Sequence, residues 1–232
     1  MPIALRKALS YTVELTGEGK RSVNRAFIYS LLTVTVAGSC LLEYWGTRWF
    51  GPYPASKQNR IAIAMLGICA LALVVFRTNI VASNCFVLAA ALAAGTLLSR
   101  QIGSIGALST MLMVAAIADL LSAHAGPSRW LVDQAQQARG VTVLQFLTIS
   151  LRLRERLVPV IGVGDLMFFT TVVSVVRRLG WPETPALVVP LTGILSALGV
   201  GLWAGFTPAL PFLAGAVWWY TRSSTSLEHK AH

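Results

Sequence analysis

The chain has 232 residues, 55% of them hydrophobic and only 12% charged, with a formal net charge of +10. One ordinary water-soluble domain of this length cannot hide so much apolar surface, so the composition points to a polytopic membrane protein. The basic residues punctuate the ends of apolar runs and form no single stripe, which excludes a nucleic-acid surface and leaves the charge to membrane topology.

Residues 1 to 25 are polar and basic, and lack the compact apolar stretch and small-residue cleavage site of a signal sequence. Beyond them, a hydrocarbon core asks for about 20 apolar residues per helix. Seven runs approach that requirement: 26 to 45, 61 to 76, 79 to 99, 102 to 123, 157 to 176, 186 to 206 and 208 to 221. The expected fold is therefore all-α, a polytopic bundle of about seven transmembrane helices. With the amino terminus inside, eleven of the 19 lysines and arginines fall on the cytoplasmic side and eight on the other. The carboxyl terminus is then outside and the loop 124 to 156 cytoplasmic.

The first three runs, within 26 to 99, have no aspartate, histidine or lysine in their apolar cores and read as a scaffold. Glu43, beside Tyr44 and Trp45 near the end of the first run, is expected in an interfacial aromatic belt. Chemistry concentrates in residues 100 to 221. The fourth run carries Asp119, with Ala115, Ala116, Ser122 and Ala123 at offsets of three and four, a small-residue face suited to close helix packing. His124, five residues on, is off that face and reads as an interfacial histidine at a helix end.

In the loop 124 to 156, Asp133 stands among Gln134, Gln136 and Arg139 as a solvated charge. Residues 148 to 154 alternate apolar and polar, which predicts a short strand or extended edge able to capture a peptide by strand addition. Residues 143 to 147 before it read equally well as a membrane-surface helix. The fifth run contains Gly162-Val163-Gly164-Asp165. Pro159, Gly162 and Gly164 weaken a helix, so Asp165 is expected at a flexible or broken helical turn. Pro208-Ala209-Leu210-Pro211 opens the last run, and reads either as irregular backbone at membrane depth or as a tight turn with proline starting the second helix. A polar tail, 222 to 232, closes the chain.

Cys40, Cys69 and Cys85 fall singly in apolar runs, and the histidines are His124, His229 and His232. No metal, disulfide framework or cofactor is expected from them. Carboxylates in a membrane run are costly and usually face a protein interior or water cavity, so Asp119 and Asp165 form the candidate site. Two carboxylates sharing one site cannot both ionise cheaply and titrate as a coupled pair. One takes a proton from water as it attacks a peptide carbonyl while the other donates to the carbonyl oxygen, which is the chemistry of an aspartic protease.

In this order the residues resemble the presenilin and signal peptide peptidase family of intramembrane aspartyl proteases, particularly its prokaryotic presenilin-like members. Asp119 precedes a cytoplasmic loop, Gly162-Val163-Gly164-Asp165 reproduces the GxGD motif 46 residues later, and Pro208-Ala209-Leu210 reproduces the PAL motif a further 43 residues on. The resemblance covers roughly 102 to 221. It implies that Asp119 and Asp165 are catalytic, that Gly162 and Gly164 support them, and that Pro208, Ala209 and Leu210 lie beside them. It also implies that the loop pairs with an unwound substrate strand, and that substrates are transmembrane proteins or membrane peptides met in a prokaryotic cytoplasmic membrane. Ala118 stands where the family usually has an aromatic residue, and nine spans are usual there.

Two alternatives share the aspartates. A prepilin-type peptidase also has GxGD, but usually continues with a lysine where this chain has Leu166-Met167-Phe168-Phe169, and it lacks the proline motif. A proton-coupled transporter would use the aspartates as a relay, although the two halves show no paired interrupted helices.

Overall fold

The computed structural model describes residues 25–51, 53–75, 79–125, 147–153, 156–204 and 207–228. The basic segment 1 to 24, most of the 124 to 156 loop with Asp133 and the 143 to 146 stretch, the side chain of His124, and the tail from 229 lie outside the described residues. Seven helices are present among those described: α1 (Arg25–Phe50), α2 (Ala55–Val75), α3 (Ile80–Ser99), α4 (Ile105–Ala125), α5 (Val163–Arg178), α6 (Glu183–Ala204) and α7 (Leu210–Glu228). Between α4 and α5 stands an antiparallel hairpin, β1 (Thr148–Leu153) with β2 (Arg156–Gly162).

Four helices are long and apolar enough to cross a membrane, over Phe27–Phe50, Ile80–Ser99, Ile105–Ala123 and Glu183–Trp203. Large apolar side chains such as Val34, Leu42, Ile63, Leu71, Val114 and Leu121 are exposed around the bundle. In water so broad an apolar surface would be an aggregation liability, whereas in hydrocarbon it is matched by the solvent. These features mark a membrane protein.

The all-α expectation needs one correction. The fifth apolar run is not one helix, because residues up to Gly162 form β2 and only then does α5 begin. The β-branched Val158, Val160 and Ile161 favour a pleated strand, and Pro159 supplies no N–H. With 16 residues, α5 rises about 24 Å, short of the roughly 30 Å of hydrocarbon.

What α5 lacks in length it has in cover. Leu166, Phe169, Val172, Val173 and Val176 are buried on one face and Thr170, Thr171 and Val175 on the others, the pattern of a helix held inside a core. One side joins Leu108 and Leu112 of α4 and Leu213 and Val217 of α7. The other joins Val36 and Cys40 of α1, Val87 and Ala91 of α3, and Ile149 and Ile161 of the hairpin. Gly95 lets α3 approach closely, since a Cβ there would come within 2.6 Å of the Met167 carbonyl oxygen and 2.7 Å of Thr170 Cβ. At the far end of α5, Gly180 takes φ +86° and the Trp181 N–H returns to the Val176 carbonyl at 3.0 Å, a glycine-ended helix stop that turns the chain into α6.

The hairpin is fastened to α3 by one side chain. Asn84 Nδ2 donates to the Ser150 carbonyl at 2.8 Å, and the Ser150 N–H donates to Asn84 Oδ1 at 2.9 Å. Ser150 stands opposite Pro159 just past a bulge in the ladder. Ser150 turns both its N–H and its carbonyl away from β2, so Pro159 opposite it forfeits no ladder bond and Asn84 meets both groups. Asn84→Ala leaves both groups short of a partner and is expected to cost about 1 to 3 kcal/mol of local stability. Faster amide exchange across Thr148–Leu153, with the helices unchanged, is the result to look for.

Candidate active site

Asp165 occupies the third position of α5, with Gly162 as N-cap in extended backbone, φ −74° and ψ 149°. From there its carboxylate reaches back to the Gly162 N–H, 3.3 Å from Oδ2, as an acidic residue three places after an N-cap does. This corrects the broken-helix expectation: the aspartate sits at a strand-to-helix junction. A Cβ on Gly162 would stand 3.2 Å from Asp165 Oδ2, so any side chain there presses on the carboxylate. Gly164 is exposed and has open space where its Cβ would be, beside the half-buried Asp165.

Asp119 lies six residues before the end of α4 and is also half-buried. Its Oδ2 accepts the Leu210 N–H at 3.3 Å. That donor exists because of the prolines. Residues 207–209 are non-helical, Leu210 is the first residue of α7, and the Ala209 carbonyl takes the N–H groups of Phe212 and Leu213 at 3.1 Å each. A first-position N–H has no partner within its own helix, and Asp119 supplies one from 91 residues away. Among the described residues, then, 207–209 are irregular backbone and the helix starts at Leu210, with Pro211 at its second position. Close packing of α6 on α7 holds this corner, since a Cβ on Gly193 would come within 2.8 Å of Leu213 Cα.

Both aspartates thus meet the amino-terminal end of a helix, Asp165 that of its own and Asp119 that of α7, where backbone N–H groups and the helix dipole favour an anion. Packing brings the two corners together, since Ala209, next to the donor Leu210, lies against the core cluster that holds Ile161 and Leu166 on either side of the GxGD turn. Cys40 of α1, fully buried, belongs to that cluster as well. Asp119, Asp165, Gly162, Gly164 and Pro208-Ala209-Leu210 are brought to one region of the bundle. Among the described residues, no group of three or more His, Cys, Asp or Glu is placed to hold a metal ion.

Glu43 differs from expectation. It is 2% exposed, inside the bundle and not in an aromatic belt, and Thr170 Oγ1 of α5 donates to its Oε2 at 2.6 Å. Trp45, two residues on, does face outward. The helical period separates the two residues, and adjacency to an aromatic hid that. Glu43 is the one acidic residue between positions 26 and 99, and its presence in an apolar run was the available signal. Asn84 was missed in the same way, as a lone amide in α3.

Neither family models, nor curated proteins, nor solved structures yield a match to this chain.

Proposed function

We propose that this protein is an intramembrane aspartyl protease of the presenilin and signal peptide peptidase type, hydrolysing peptide bonds within membrane-spanning segments of other proteins or membrane peptides. The observation that carries the reading is the meeting of three distant motifs: Asp119 accepts the backbone N–H of Leu210, and Ala209 of the same segment packs against the cluster that holds Ile161 and Leu166, on either side of the GxGD turn. In this reading the site opens toward the cytoplasm, the amino terminus is inside and all seven helices belong to the membrane domain of a prokaryotic cytoplasmic membrane.

The two carboxyls share one proton. The ionised one takes a proton from a water molecule as its oxygen attacks the scissile carbonyl carbon, and the protonated one donates to the carbonyl oxygen. Collapse of the tetrahedral intermediate breaks the C–N bond, with a proton passing to the leaving amine. The N–H groups of Gly162 and Leu210 aim the two carboxyls, and the open space beside Gly164 admits a substrate backbone unwound from its helix. On the side of the hairpin away from Asn84, β2 supplies extended backbone leading to Asp165, in keeping with capture of an unwound strand.

The test is cleavage of a panel of single-span reporters by purified protein in liposomes, with products located by mass. Cuts within the span support the proposal. Cuts only beside a positively charged cytoplasmic leader favour the prepilin-type alternative, and aspartate-dependent solute flux without cuts favours a transporter.

Gly162→Ala gives a graded version of the same test. The new Cβ displaces the Asp165 carboxyl by a few tenths of an ångström, so a loss of about tenfold in kcat is expected, given that a 1 Å misplacement costs on the order of a hundredfold. The melting midpoint stays near that of the unaltered protein. Reporter kinetics and a thermal melt on one preparation check both halves.

A further inference from the structure

We infer that Glu43 is a positioning residue for Asp165: by accepting the Thr170 hydroxyl it sets where α5 lies along α1 and α3. The inference rests on the protease reading. Asp165 stands in the first turn of α5, directly after a strand, so its own turn is poorly placed to fix the helix along its axis. The anchor lies five residues on. Thr170 is completely buried, with its hydroxyl on Glu43 Oε2 at 2.6 Å and its Cβ against the backbone of Gly95. The next residue, Thr171, donates to the Gly95 carbonyl at 3.2 Å. One turn of α5 is therefore held by a polar contact from α1 and by close backbone approach from α3, about 7.5 Å along the axis from Asp165.

Packing alone does not call for an acid here. An aliphatic side chain at position 43 would fill the space without burying a carboxyl in an apolar span. What a carboxyl adds is a strong, directional acceptor for a hydroxyl. Along the same interface Cys40 lies in one cluster with Leu166 and Phe169, Glu43 meets Thr170, and Thr47 receives Arg177 at 3.5 Å, while the Arg177 guanidinium lies over the Tyr44 ring at 5.5 Å. The contacts run in step along both helices, so a slip of α5 would have to break them together.

Reconstituted full-length protein carrying Glu43→Gln, Glu43→Ala, Thr170→Val or Glu43→Ala/Thr170→Val tests this, assayed below the melting range of every variant. Glu43→Gln keeps an acceptor oxygen and is expected to retain at least about half of kcat, with the same products. Glu43→Ala and Thr170→Val are expected to lower kcat about tenfold or more with KM within about twofold, and to spread cleavage over neighbouring peptide bonds. The double variant should be no worse than the poorer single one. Thr170→Val with unaltered kcat and one cut overturns the inference. So does a Glu43→Gln variant that loses activity and shifts the pH profile, since the proton on Glu43 would then matter and not its bond.

A second readout is independent of proteolysis. In an Asp119→Cys/Asp165→Cys/Cys40→Ala background, the yield of an oxidative cross-link between positions 119 and 165 should fall several-fold on adding Glu43→Ala and hold with Glu43→Gln. If no reporter is ever cut while the cross-link behaves this way, the protease reading fails and the positioning role stands. Equal yields in all three overturn the positioning role whatever the activity.

Discussion

Asp119→Asn and Asp165→Asn are each expected to lower reporter cleavage by at least about a thousandfold, within the range that removal of a general acid or base produces. Asparagine keeps the size of aspartate and an oxygen able to accept the N–H of Leu210 or Gly162, so the helix corners persist. What is lost is the capacity to exchange a proton with water or with the scissile carbonyl oxygen. Helical content and melting midpoint should therefore stay close to those of the unaltered protein. Cleavage rates and circular dichroism on the same preparations check the pair of expectations. Unchanged cleavage in either variant would remove the dyad from the mechanism and with it the protease proposal.

The second large effect is expected at a backbone group. Leu210→Pro deletes the N–H that Asp119 accepts, yet places proline at the first position of a helix, where its fixed φ is compatible with helical geometry. The residue before it is pushed toward extended backbone, which suits an N-cap. Leu210→Ala removes the same buried side chain and keeps the N–H, so comparing the two isolates the bond to Asp119. A hydrogen bond to a charged group contributes about 1.5 to 3 kcal/mol, so the proline variant should cleave roughly ten to a hundred times more slowly than the alanine variant. Steady-state kinetics on one reporter measure the ratio. A ratio near one would mean that the PAL segment acts only through its side chains.

Hydropathy alone placed a helix in each of the seven apolar runs, and the alternation at 148 to 154 marked the strand that became β1. It could not divide the fifth run. A stretch from 157 to 176 that is apolar throughout reads the same whether its first third is a buried strand or a helix. Pro159 flanked by Val158 and Val160 was the sequence cue for the strand, and the β1–β2 pairing supplies the long-range reason for it. The motif residues were legible because Asp119, the GxGD sequence and the prolines are rare in apolar surroundings. Their partners were not. Leu210 acts through its N–H, which no side-chain pattern reveals, and the bond between Glu43 and Thr170 spans 127 positions.

The Asn84 clamp also bears on how copies of this protein behave when crowded in one membrane. A strand edge with unpaired N–H and carbonyl groups is a template for a second such edge, and the two would zip together into a shared sheet. Because the amide of Asn84 already occupies both backbone groups of Ser150, a neighbouring copy finds no open position there to pair with. The side chain that seats the hairpin thus also guards the β1 edge at Ser150 against pairing with a second copy.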